Sequence, residues 1–128
     1  MEIAVTDGIK ISVNTKFEDE LSAKCNCLYY HSYLITIENN SNHTVQLLRR
    51  KWMIFDSIGD HLLVEGEGVV GQKPTIKPGE SYSYESACKL RSSVGKMVGI
   101  YYMKQTENEA EICVRIPEFN LVTPFQLN

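Results

Sequence analysis

A repeat of two runs through most of this chain. Ile9, Ile11 and Val13 alternate with Lys10, Ser12 and Asn14, and Tyr33, Ile35 and Ile37 alternate with Leu34, Thr36 and Glu38. Val45 and Leu47 open a run that continues through "RKWMIF". Tyr82 and Tyr84 alternate with Ser81, Ser83 and Glu85, and Ile112, Val114 and Ile116 with Glu111, Cys113 and Arg115. Residues two apart on a strand share a face, so each set marks one side of a strand. The runs are rich in Val, Ile, Thr and Tyr, which suit a pleated surface. The one stretch with room for helix is "FEDELSAKC", residues 17–25, and it fits two turns at most.

Turn chemistry separates the runs. Asn39-Asn40-Ser41-Asn42 is a polar break, and Asp56-Ser57-Ile58-Gly59-Asp60 reads as a hairpin loop. Pro78-Gly79 is a turn because proline presets φ and glycine accepts positive φ. "TENEAE", 106–111, is another. Asp7-Gly8 fits a tight turn or a bulge. The odd parity that Ile3 and Val5 share with Ile9 and Ile11 favours a bulge within one long first strand. About seven to nine strands with regular turns predict an all-β, antiparallel β-sandwich of the immunoglobulin-like or fibronectin type III-like kind.

The length, 128 residues, suits one domain with one core. Thirteen basic against sixteen acidic residues give a net charge of −3, which argues against non-specific nucleic-acid binding. The N-terminus "MEIAVTDGIKISV" lacks the marks of a signal peptide, and no stretch approaches a membrane span. The expected location is the cytoplasm, without membrane contact. There the four cysteines, Cys25, Cys27, Cys88 and Cys113, are expected as free thiols.

"VEGEGVVGQKP", residues 64–74, sets Gly66, Gly68 and Gly71 in the order G-x-G-x-x-G. In a dinucleotide site that pattern follows a strand and opens a helix, whose N-terminal N–H groups meet the phosphates. "HLLVE" supplies a strand, but "QKPTIKPGESYSY" carries Pro74 and Pro78 where the helix belongs. Glu67 adds a negative charge inside the loop. The glycines therefore read as shaping an irregular strand or loop. Val69 and Val70 are expected to be exposed, and Arg49, Arg50, Gly66, Glu67, Gly68, Val69, Val70 and Gly71 together form the candidate recognition surface. Seven tyrosines and one tryptophan supply residue types common at interfaces, although Trp52, Tyr82 and Tyr84 are expected in the core.

Enzyme chemistry finds little support. His31, His43 and His61 have no local nucleophile signature, and there is no G-x-S-x-G or H-E-x-x-H. No catalytic residue and no cofactor is expected. Cys25-x-Cys27 with His31 is a conceivable soft metal cluster, but a second ligand pair is not apparent. Asp56 with Asp60, or Glu65 with Glu67, comes nearest to a magnesium set, and no metal site is assigned.

At the glycine loop the sequence resembles the ApaG family. The resemblance is carried by "VQLLRRKWMIFDSIG", "VEGEGVVGQKPTIKPGESYSYESACKL", "VGKMVGIYYM" and "IPEFNLVTP", with "YYHSYLITIENNS" upstream. It implies a single ApaG (CorD-like) domain over residues 1–128 and a fibronectin-type sandwich. It also implies a small module whose genes are linked to cobalt and magnesium tolerance and neighbour genes for dinucleoside polyphosphate hydrolysis. Similar domains in eukaryotic F-box proteins and in a DNA-polymerase-interacting protein look like protein-binding modules. One departure is local: many members carry Thr-Pro where this chain has Ser92-Ser93, which frees φ and restores an N–H in that turn. The reading is a non-enzymatic protein–protein interaction module with an unidentified protein partner, monomeric or homodimeric. The alternative is a nucleotide, pyrophosphate or divalent-metal binder using the Gly66–Gly71 loop or the Cys/His cluster.

Overall fold

A computed structural model describes residues 1–18 and 29–124. Among these residues all regular structure is strand, and the strands form an antiparallel β-sandwich. One sheet holds β1 (Glu2–Thr6), β2 (Ile9–Phe17), β3 (Tyr29–Asn39) and β7 (Ser81–Leu90), in the order β1-β2-β3-β7. The other holds β5 (His61–Glu67), β4 (Val45–Asp56), β8 (Val94–Gln105) and β9 (Glu111–Val122) in that order, and short β6 (Thr75–Ile76) also pairs with β4. Among the described residues no helix is long and apolar enough to cross a membrane.

The period-two sets become the inner faces. Ile9, Ile11, Val13, Ile35 and Ile37 from the first sheet meet Leu47, Trp52, Tyr101, Val114 and Ile116 from the second, all buried. Tyr33, Trp52 and Phe119 form an aromatic cluster across the sheets, with ring centroids 5.7–5.8 Å apart. Gly99 belongs to this packing, since a Cβ there would lie 2.8 Å from the Trp52 ring. Pro117 sits within β9 because the β8–β9 register shifts between Met97 and Gly99, and a bulge needs no ladder N–H from it.

Asp7-Gly8 is a tight turn and not the expected bulge. Asp7 and Gly8 have φ of 49° and 81°, and Thr6 pairs with Ile9 in a two-residue hairpin. Across that hairpin odd residues face even ones: Ile3 opposes Ser12 and Val5 opposes Lys10. Both therefore leave the core face and are exposed, so shared parity misled.

The polar break after β3 hides a staple. Asn39 is fully buried, and its amide donates to the carbonyls of His43 (2.7 Å) and Ile76 (2.8 Å). Its Oδ1 accepts from the N–H and hydroxyl of Ser41 (3.0 and 2.6 Å). The side chain thus ties the loop to β6.

Candidate functional site

The glycine loop lies along β4. β5 runs beside residues 49–55 of β4, and β6 beside Val45 and Gln46. Between them β4 carries a bulge at the Leu47/Arg49 step, and there the chain makes a brief excursion. Val69 and Gln72 exchange N–H···O bonds of 2.8 and 2.9 Å, closing a two-residue hairpin over Val70 and Gly71. Val70 has φ 48° and Gly71 φ 76°, the signature of a type I′ turn.

Each glycine has its own backbone reason. At Gly66 a Cβ would lie 2.8 Å from Arg50 Nη1, so this glycine makes room for the guanidinium. Gly68 has φ 60°, and a Cβ there would meet the Gln72 carbonyl oxygen at 2.2 Å. Gly71 takes the second left-handed position of the turn, with open space around it. After Gly71 the chain passes through "QKP" into β6, so no helix N-terminus stands behind the glycines to meet a phosphate.

The two arginines part company. The β4 bulge shifts the alternation, so that Val45, Leu47, Arg50 and Trp52 all turn inward. Arg50 is half-buried and donates through Nη1 to the carbonyls of Gly68 (2.7 Å) and Glu67 (3.1 Å), clasping the start of the excursion. Behind it lie Tyr33, Tyr84 and Tyr101, and the Tyr84 and Tyr101 hydroxyls are hydrogen-bonded to each other. Burial raises the pKa of all three phenols, and the nearby Arg50 charge opposes that shift without overcoming it. Arg49 faces outward, with its guanidinium 4.0 Å above the Tyr102 ring. Arg49 and Arg50 are thus not one basic patch.

Val69 and Val70 separate in the same way. Val69 is fully buried, which corrects the expectation that both valines are exposed: its side chain points back from the hairpin into the core. Val70 is 62% exposed at the tip. Left-handed backbone is a true outlier for a β-branched residue. The exposed candidates are therefore Arg49, which lies over Tyr102, together with Glu67, Val70 and Gly71. Lys73 holds Glu67 at 2.9 Å and lowers its carboxyl pKa. Arg49, Tyr102, Gly66 and Glu67 line a shallow groove of about 210 Å³ beside the hairpin. Sequence reasoning missed Tyr102. The available clue was the parity break between Val45/Leu47 and Trp52, which betrays the bulge and separates the arginines.

The other candidate residues stay apart. His31 is buried beside Phe17, with ring centroids 5.2 Å apart and Nε2 without a partner, and burial lowers its pKa. His61 is exposed on β5 near Phe55, and His43 lies in the loop after β3. Cys88 and Cys113 are free thiols. Burial first, then the nearby Asp56 charge, pushes the Cys88 thiol up to about 11, which keeps it protonated and unreactive at neutral pH. Cys25 and Cys27 lie outside the described residues, as does most of the stretch considered for helix. Among the described residues no three of His, Cys, Asp and Glu gather as metal ligands. Asp56 is engaged by the Ser92 hydroxyl and by the Arg91 N–H (2.7 Å), which outweigh desolvation and lower its pKa. Asp60 faces Arg91 at 3.9 Å, and Glu65 faces Lys51 at 3.9 Å. A second cleft, about 320 Å³, opens between the start of β5 and the end of β7, floored by Ile54, Leu62 and Leu90 and edged by Lys89 and Arg91.

The ApaG domain family model matches residues 19–105. Protein ApaG of Vibrio vulnificus strain YJ016 is 43% identical over 120 residues, 94% of each chain. Protein ApaG of Brucella canis is 44% identical over 126 residues, 98% of this chain and 96% of that one. A crystal structure of an ApaA protein from Bordetella pertussis superposes with a TM-score of 0.86 at 35% identity, covering 92% of this chain and 95% of that one. The C-terminal domain of wzt, at a TM-score of 0.54 and 9% identity over 98% of this chain and 78% of that one, shares the fold alone. By the matched domain and by identity over nearly the whole chain, this protein belongs to the ApaG family.

Proposed function

We propose that the protein is a non-catalytic binding module that recognises another protein through the hairpin after β5. One observation carries this reading: Val70 holds an apolar, β-branched side chain out in solvent on left-handed backbone. Folding alone would favour asparagine or glycine there, since type I′ turns prefer Asn-Gly and Gly-Gly. Strain at an exposed position is a mark of a site kept for contact. The hairpin is otherwise firmly built, because Arg50, Gly66 and Gly68 hold its base and Val69 anchors it in the core. A rigid tip loses little entropy on binding. Arg49 over Tyr102 and the Glu67–Lys73 pair supply a polar rim.

The test compares proteins captured by wild type and by a Val70→Asp variant under identical conditions. Val70 is exposed, so the variant keeps its fold, and a charge at the tip should cut capture at least about tenfold, the effect of losing an interface anchor. Unchanged capture would refute the hairpin as the contact surface.

A further inference from the structure

We propose that the outer edge of β5 is where two copies of this chain pair, joining their β4-containing sheets into one continuous sheet across a two-fold axis. The ladder fixes which groups the edge offers. Asp56 N–H donates to the Asp60 carbonyl, and Gly68 N–H to the Leu48 carbonyl. With the β4–β5 register, this turns the backbone groups of even-numbered residues 60–68 toward β4. His61, Leu63, Glu65 and Glu67 turn theirs away, and β5 pairs with no other strand among the described residues.

The remaining edges are guarded. β9 packs against β1 and β2, and Arg115 N–H donates to the Thr6 hydroxyl at 3.2 Å, which closes that side. β7 turns Ser81, Ser83, Glu85 and Lys89 outward. β5 has no proline, lysine or bulge, its charges, Glu65 and Glu67, are confined to its C-terminal half, and its first half exposes Leu62 (59%) and Leu63 (48%).

The sequence of β5 is complementary to itself. In the antiparallel register that sets Leu63 opposite Leu63 of the second copy, His61 faces Glu65 and Leu62 faces Val64, each pair occurring twice. Apolar side chains meet apolar ones, and imidazole meets carboxylate. Leu63 exchanges both of its backbone hydrogen bonds with its counterpart, as an isologous interface requires. That match argues for a second copy over an unrelated strand.

Light scattering over about a 100-fold dilution series reads the assembly, since mass action makes it concentration-dependent. Wild type should move from one copy to two as concentration rises. Amide exchange at His61, Leu63 and Glu65 should slow in step. Leu63→Lys and Leu63→Glu should each remain single, because like charges would meet across the axis. An equal mixture of the two variants should recover the two-copy species. A single copy at every concentration would overturn the proposal, as would a two-copy species that survives Leu63→Lys. Slowing of these amides only when a different protein is added would also overturn it.

Discussion

Val70 carries a conformational cost that asparagine would not. Left-handed backbone costs an L-residue roughly 1–2 kcal/mol, and less for asparagine. Val70→Asn creates an Asn-Gly type I′ turn and should stabilise the fold by about 1 kcal/mol in urea unfolding, while weakening capture of the partner. A loss of stability would mean that the Val70 side chain packs in a way its exposure does not suggest. His31 acts through protons. The fold keeps its imidazole neutral below the ordinary 6.5, while the unfolded chain protonates as the pH falls through that value. The unfolded state then binds more protons, so stability declines from pH 6.5 downward until the lowered folded value is reached. Above pH 6.5 His31 contributes no slope. Unfolding free energies across this window should fall less steeply for His31→Leu than for wild type. Parallel slopes would show that the imidazole is not held neutral.

At the scale of elements, Arg50 links β4 to the chain leaving β5. Its bonds to the Glu67 and Gly68 carbonyls both leave Nη1, on a planar guanidinium that lies flat in the space Gly66 leaves open and that an ammonium would not fill. Arg50→Lys should therefore destabilise by about 1–3 kcal/mol, although the charge is kept. A change within about 0.5 kcal/mol, ordinary for surface sites, would contradict this role. The strands themselves were legible: alternation located the core faces of β2, β3, β7 and β9, and Asn-, Asp-, Pro- and Gly-rich breaks located the turns. What alternation could not show was its own interruption. The bulge near Leu48 decides that Arg50 turns inward and Arg49 outward. The Asp7-Gly8 hairpin sends Ile3 and Val5 to solvent. Both depend on how one strand meets another, which a single run of residues does not encode.

Across the whole molecule, one sandwich explains the glycine pattern without a bound anion. The excursion at the β4 bulge needs Gly66 for clearance, Gly68 for close backbone approach and Gly71 for the turn, and extended chain follows where a phosphate site needs a helix. The G-x-G-x-x-G spacing was plain in the sequence, and so was the absence of a following helix. The partition of Val69 into the core and Val70 into solvent was not, because it follows from a hairpin lying across the sheet. Residue-resolved NMR of the full chain titrated with ATP and with inorganic pyrophosphate tests this most directly. The amides from Gly66 to Lys73 should show no saturable shift, and a saturable shift centred on Gly68 and Gly71 would mean that the glycines do hold a phosphate.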